Sequence, residues 1–350
     1  MLHGGDIYTD GILKGKELLD YSSNINPLGL PDGFSKNINE ALKNAVRYPD
    51  VKYRELISNL KAYTGVENDE FVLGNGAAEI IDLSISCFES ILIVVPSFVE
   101  YEIDAKKWGC KIEYSYLLKD MEINYKDIME KLSSVKTLII GNPNNPNGRI
   151  IDKDKFKGIL DFCEENGKTI IIDEAFIEFT GNREDSFIKY IDSYNCLFIV
   201  RAITKFFAMP GVRFGYGITK NTRFADSIRK KQNPWNINCF AELAAKYSFG
   251  DEEYIKKSLL WIKEERKVLF DELNKVNYFQ KIFSTDANFI LCKLKTIKED
   301  ELYNFCLENG IVIRKASNFR GLDESFIRLA IKDRKSNERL IEVLNSYTCG

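Results

Sequence analysis

Short apolar runs and amphipathic stretches alternate through the middle of the chain. Residues 71–73, 91–95, 111–116, 137–140, 169–173 and 197–200 are strand-length and bounded by polar or turn residues, so each predicts a strand. Between two of them, residues 154–165 place Phe156, Ile159, Leu160 and Cys163 at helical spacing and stop before Gly167. Strand–helix alternation of this kind predicts a largely parallel sheet covered on both faces. The last third reads differently. A long charged helix is expected over 251–273, then strands over 288–294, 311–314 and 326–331, with helices over 299–308 and 336–347. The pattern predicts an α/β chain in three parts: an N-terminal arm (1–30), a large domain (31–238) with a mostly parallel central sheet, and a smaller α+β domain (239–350). The boundary is expected near Pro234-Trp235.

Composition narrows the function classes. The 350 residues carry 49 Lys+Arg against 52 Asp+Glu, a net charge of −3 with both signs interspersed, so the basic footprint of a nucleic-acid binder is missing. No apolar run is long enough to span a bilayer, and Met1-Leu2-His3-Gly4-Gly5-Asp6 is no signal peptide, so a cytoplasmic protein is expected. The eight cysteines stand singly without a C-x-x-C pair, and there is one histidine. No metal site is therefore expected, and a Ser-His-Asp triad would need His3 as its base.

The unusual residues lie just after the predicted strands, where open α/β sheets bind ligands. Gly74-Asn75-Gly76-Ala77-Ala78-Glu79 opens a helix with small residues, a setting that suits an anion but is equally an ordinary strand-to-helix turn. Asn142-Pro143-Asn144-Asn145-Pro146-Asn147-Gly148 packs two Asn-Pro steps behind a buried strand. Asp173 ends the run Ile170-Ile171-Ile172, as a carboxylate for chemistry or as a helix cap. Lys205 follows another strand amid Ile203, Phe206 and Phe207, with Arg213 eight residues on. A lysine there is costly unless its amine is neutral, paired or covalently engaged, and desolvation suits it to Schiff-base chemistry.

Taken in order along nearly the whole chain, these motifs resemble the fold-type I pyridoxal-phosphate enzymes of the aminotransferase class I/II superfamily. The resemblance implies pyridoxal 5'-phosphate as cofactor, with Lys205 as its covalent anchor and Asp173 as partner of the pyridine nitrogen. It further implies that Asn145 bonds the ring's phenolic oxygen and Phe98 stacks on the ring. Gly76, Ala77, Ala78, Thr204 and Arg213 would hold the cofactor phosphate. Tyr48, in Arg47-Tyr48-Pro49-Asp50, would reach a second subunit's cofactor, which implies a homodimer with shared active sites. Arg328 would bind the substrate α-carboxylate. Two positions depart from the pattern: Phe176 stands where most relatives have tyrosine, and Ala202 where many have a hydroxyl.

Within the superfamily, His3-Gly4-Gly5 and Tyr21-Ser22-Ser23-Asn24-Ile25-Asn26-Pro27-Leu28-Gly29 are similar to the threonine-phosphate decarboxylases, with histidinol-phosphate aminotransferases the close alternative. The similarity implies a phosphorylated amino-acid substrate, L-threonine O-3-phosphate, held by His3, Asn26 and Arg314 besides Arg328, and a place in cobalamin biosynthesis. Arg320 is a weaker candidate for the same phosphate.

Overall fold

Thirteen strands form among the residues that the computed structural model describes, 4–67 and 70–347. They are β1 (Leu19–Asp20), β2 (Glu70–Gly74), β3 (Ser90–Val95), β4 (Lys111–Tyr116), β5 (Thr137–Gly141), β6 (Thr169–Asp173), β7 (Leu197–Ala202), β8 (Gly215–Thr219), β9 (Phe279–Ile282), β10 (Phe289–Leu294), β11 (Ile311–Val312), β12 (Arg314–Lys315) and β13 (Phe326–Ala330). Seven of them make one sheet in the order β2-β8-β7-β6-β5-β3-β4, parallel at every pairing except the two made by β8.

The apolar runs are unbroken because both faces of this sheet are covered. Alternate residues enter two separate cores: Leu138, Ile140, Ile170, Ile172 and Ile199 face one, while Ile91, Ile93, Ile139, Ile171 and Val200 face the other. The helix expected over 154–165 spans Lys153–Glu165 and is capped by Asp152, whose carboxylate accepts from the amides of Asp154 and Lys155.

Register brings the strand ends level. Gly141 lies opposite Asp173, Asp173 opposite Val200, and Gly215 opposite both Gly74 and Ala202. The loops that follow β2, β5, β6 and β7 therefore emerge along one edge.

The last third forms a four-stranded antiparallel sheet, β12-β13-β10-β9, flanked by helices Glu252–Leu273, Glu299–Glu308 and Arg334–Ser346. Two details differ from the sequence expectation. The segment read as one strand over 311–314 divides at Ile313: β11 pairs with β1, and β12 with β13. The N-terminal arm is thus joined to the C-terminal third by a parallel pairing. Strands β1, β8 and β9 were not expected at all. In β8 the sequence Gly-Tyr-Gly-Ile-Thr carries little strand signal, yet Gly215 is required by packing, because a Cβ there would stand 2.4 Å from the Ala77 amide nitrogen. No helix among the described residues is long and apolar enough to cross a membrane.

Candidate active site

The loops gathered at the sheet edge enclose a cavity of about 500 Å³, into which Asn145, Asp173, Lys205, Arg213, Arg314 and Arg328 all project. Asp173 ends β6 and is buried. Its Oδ2 accepts from the Tyr101 hydroxyl at 2.6 Å and its Oδ1 from the Ala175 amide at 3.0 Å. Burial pushes its pKa up, against the pull of those two donors. Lys205 sits in the turn after β7, with Nζ 5.9 Å from the centre of the Phe176 ring. Burial, reinforced by the Arg328 charge, brings its amine down to about 8.

The Asn-Pro loop divides its labour. The Asn144 side chain donates to the Pro96 carbonyl and to Asn147, Asn147 donates to the Met121 carbonyl, and Asn142 donates to Glu174 and the Asp185 carbonyl. Three buried asparagines lock the loop and leave Asn145 facing the cavity, where it accepts from Arg328 Nη1 at 2.6 Å.

Arg314 and Arg328 lie directly opposite on antiparallel β12 and β13, with 2% and 5% of their surface exposed. Burial brings the first down to about 10 and the second, beside it, to about 9. Arg328 also donates from Nη2 to the Ser22 carbonyl at 2.7 Å, while its buried Nε has no hydrogen-bond partner among the described residues. Asp20 builds the turn that supplies this carbonyl, accepting from the amides and hydroxyls of Ser22 and Ser23. Gly4, Ser22, Ser23 and Asn24 line the cavity on this side.

Among the sequence candidates, Ala77, Ala78, Phe98 and Thr204 also line the cavity, and Gly76 borders it against Arg213. Asn26 does not. Its side chain donates to the Phe206 carbonyl and the Ser258 hydroxyl, both at 2.8 Å, and accepts from the Leu28 amide. It is buried as a brace beneath the Lys205 turn, so its expected contact with substrate is corrected. Arg320 is likewise engaged elsewhere, with both its bonds going to Glu102. Tyr48 lies outside this chain's cavity, 77% exposed, its ring 4.7 Å from that of Trp235. His3 lies outside the described residues.

Sequence reasoning passed over Tyr101 and the Ser22 carbonyl. Tyr101 had a signal: it follows Phe98 by three residues, the spacing that sets two side chains on one helical face. A backbone carbonyl leaves none.

The cavity fits pyridoxal phosphate. A buried carboxyl group and an amine whose pKa is brought down to about 8 face one space. At its edge, helix Ala77–Ile85 starts without a side-chain cap, so its first amides are open to an anion. Arg213 stands beside them, so close to Gly76 (φ +87°) that a Cβ there would fall 2.4 Å from Nη2.

Comparison with known proteins agrees with this geometry. The family model described as aminotransferase class I and II matches residues 16–344. The provisionally named threonine-phosphate decarboxylase of Caldanaerobacter subterraneus subsp. tengcongensis is 40% identical over 347 residues, covering 98% of this chain and 92% of that protein. The threonine-phosphate decarboxylase of Salmonella typhimurium is 31% identical over 356 residues, covering 99% and 97%. The crystal structure of a histidinol-phosphate aminotransferase from Clostridium acetobutylicum superposes with a TM-score of 0.93 at 57% identity, covering 94% of this chain and 98% of that one. The chain therefore belongs to the aminotransferase class I and II family of pyridoxal-phosphate-dependent enzymes.

Proposed function

We propose that this enzyme removes CO2 from L-threonine O-3-phosphate, giving (R)-1-aminopropan-2-yl phosphate for cobalamin biosynthesis. The observation that carries the reading is the pair of buried arginines, Arg314 and Arg328, facing one cavity with Lys205. Two adjacent cations suit a small substrate with two anionic groups, a carboxylate and a phosphate. The similarity to threonine-phosphate decarboxylases across almost the full chain supports the same substrate.

In this reading Lys205, Asp173, Asn145 and Phe98 would hold the cofactor ring, and Arg213, Thr204 and the amides of Gly76–Ala78 would hold its phosphate. The bound cofactor supplies an electron sink for the pair left on the substrate's α-carbon. Arg328 orients the α-carboxylate, its unpartnered Nε adding a donor to those already engaged. Arg314 takes the substrate phosphate. Lys205 Nζ, with its pKa brought down to about 8, can take up and deliver the proton that replaces CO2 on the α-carbon. The bonds from Tyr101 and Ala175 favour the carboxylate form of Asp173 against the burial that opposes it. Tyr48 and Trp235 form part of a contact with a second copy of the chain, so that two subunits share active sites.

The Clostridium acetobutylicum structure, at 57% identity, favours a second reading, transamination of histidinol phosphate. The two separate cleanly. Holoenzyme incubated with L-threonine O-3-phosphate alone should release CO2 in step with substrate loss. Consumption of histidinol phosphate that requires a keto acid, without CO2 from threonine phosphate, would replace the first reading by the second.

A further inference from the structure

We propose that Glu102 and Arg320 are positioning residues for the substrate phosphate: their ion pair fixes the loop that holds Arg314 in place. The proposal rests on the reading that Arg314 takes that phosphate. Arg320 Nε and Nη2 each donate to one oxygen of Glu102 at 2.6 Å, a fork-to-fork pairing. The guanidinium also lies 4.3 Å over the Tyr114 ring, and only 17% of the Glu102 side chain is exposed. The hydrogen bonds from Arg320, helped by that from Lys106 one turn along the helix, hold Glu102 down to about 2, so the pair stays ionised across the working pH range.

What the pair connects gives it consequence. Glu102 stands on helix Glu100–Lys107, whose leading residues Phe98 and Val99 wall the catalytic cavity. Arg320 stands on the loop between β12 and β13. Two residues of that loop touch Arg314: Asn318 Oδ1 accepts from Nη2 at 2.9 Å, and the Phe319 ring lies 5.1 Å from the guanidinium carbon. Phe319 is buried and lines the catalytic cavity on one side and an outer groove on the other, as Phe98 and Val99 do. The loop passes within van der Waals reach of the large sheet: at Gly321 (φ +92°) a Cβ would lie 3.4 Å from the Tyr116 ring. With the pair broken, the loop that carries Asn318 and Phe319 loses its tether to helix Glu100–Lys107, and the direction of Arg314 is less closely fixed.

A double-mutant cycle on the holoenzyme tests this, using L-threonine O-3-phosphate and unphosphorylated L-threonine as paired ligands. Glu102→Gln and Arg320→Gln should each raise KM for the phosphorylated substrate about three- to tenfold with kcat little changed, leave threonine binding within about twofold, and show no further loss when combined. Amide exchange over residues 317–322 should quicken in both single variants. Equal weakening of both ligands, or unchanged exchange, would overturn the positioning role. Arg314→Ala separates this failure from that of the underlying reading. If Arg314→Ala keeps the preference for phosphate, the reading falls and the role of the pair with it. If Arg314→Ala loses the preference while Glu102→Gln and Arg320→Gln keep it, the anchor alone is wrong.

Discussion

Replacing Tyr101 by phenylalanine should isolate one hydrogen bond at the base of the cavity. The hydroxyl donates to Asp173 Oδ2 at 2.6 Å, and both side chains are buried. Phenylalanine keeps the ring and its edge-on contact with Phe98, whose centre is 5.7 Å away at 88°. The Ala175 amide is then the remaining donor of the two that Asp173 has. A hydrogen bond to a charged group contributes about 1.5–3 kcal/mol, which corresponds to an upward shift of about 1–2 pKa units at Asp173. The direction adds to that of burial, so the carboxylate is protonated at higher pH than in the parent enzyme. If Asp173 must be ionised to hold the cofactor's pyridine nitrogen, cofactor affinity should fall, by up to about ten- to a hundredfold at pH below the parent's Asp173 pKa and by less above it. The loss should deepen on acidification, and set in at higher pH than in the parent. In the cofactor-free chain the linkage runs the other way: the folded pKa is raised, so the variant should lose stability as pH rises through it. Titration of apoenzyme with pyridoxal phosphate at several pH values, followed by cofactor absorbance, measures the first effect. Affinity within twofold of the parent, with an unshifted pH profile, would refute the argument.

Three further outcomes are expected. Because Lys205 is depressed to about 8 from an ordinary 10.5, the unfolded chain binds more protons between those values, so apoenzyme stability should rise with pH there; Lys205→Met, followed by denaturant unfolding, should make that rise shallower, leaving the part that the depressed Arg328 and Arg314 contribute. Arg328→Ala should weaken both L-threonine O-3-phosphate and L-threonine about ten- to a hundredfold, since both carry the α-carboxylate; a loss confined to the phosphorylated ligand would reverse the assignment of the two arginines. Mixing inactive Lys205→Ala with inactive Tyr48→Phe chains should restore activity through one competent site per heterodimer, and verified subunit exchange without recovery would count against shared sites.

Residues whose chemistry conflicts with their surroundings were legible from sequence. Lys205 between Ile203 and Phe206, and Asp173 at the end of three isoleucines, are costly unless used, and the structure sets both on one cavity. The central strands were legible because burial on both faces writes an unbroken apolar run. β8 was not, since its glycines are fixed by close approaches, of Ala77 to Gly215 and of the Phe198 ring to Gly217, tertiary facts with no local trace. Asn26 shows the converse error. A polar residue inside an apparent ligand motif can satisfy all its groups internally, and only the positions of Phe206 and Ser258 reveal that it does. Arg320 was ambiguous for a similar reason: its partner Glu102 is 218 residues away.

The pairing of β1 with β11 has a consequence for how the molecule is made. Leu19 meets Ile311, and the Tyr21 hydroxyl donates to Asn337, 316 residues further along the chain. During synthesis the first strand leaves the ribosome long before its partner exists, and closing so long a loop is slow. The seven-stranded sheet can assemble from residues 70–219 in the meantime. The turn at Asp20–Ser23 cannot reach Arg328 until β11 and β13 have emerged, so the catalytic cavity is the last part of the protein to close. A nascent chain stopped before residue 311 should carry the strand ends with Asp173 and Lys205 in place, and lack one wall of the site.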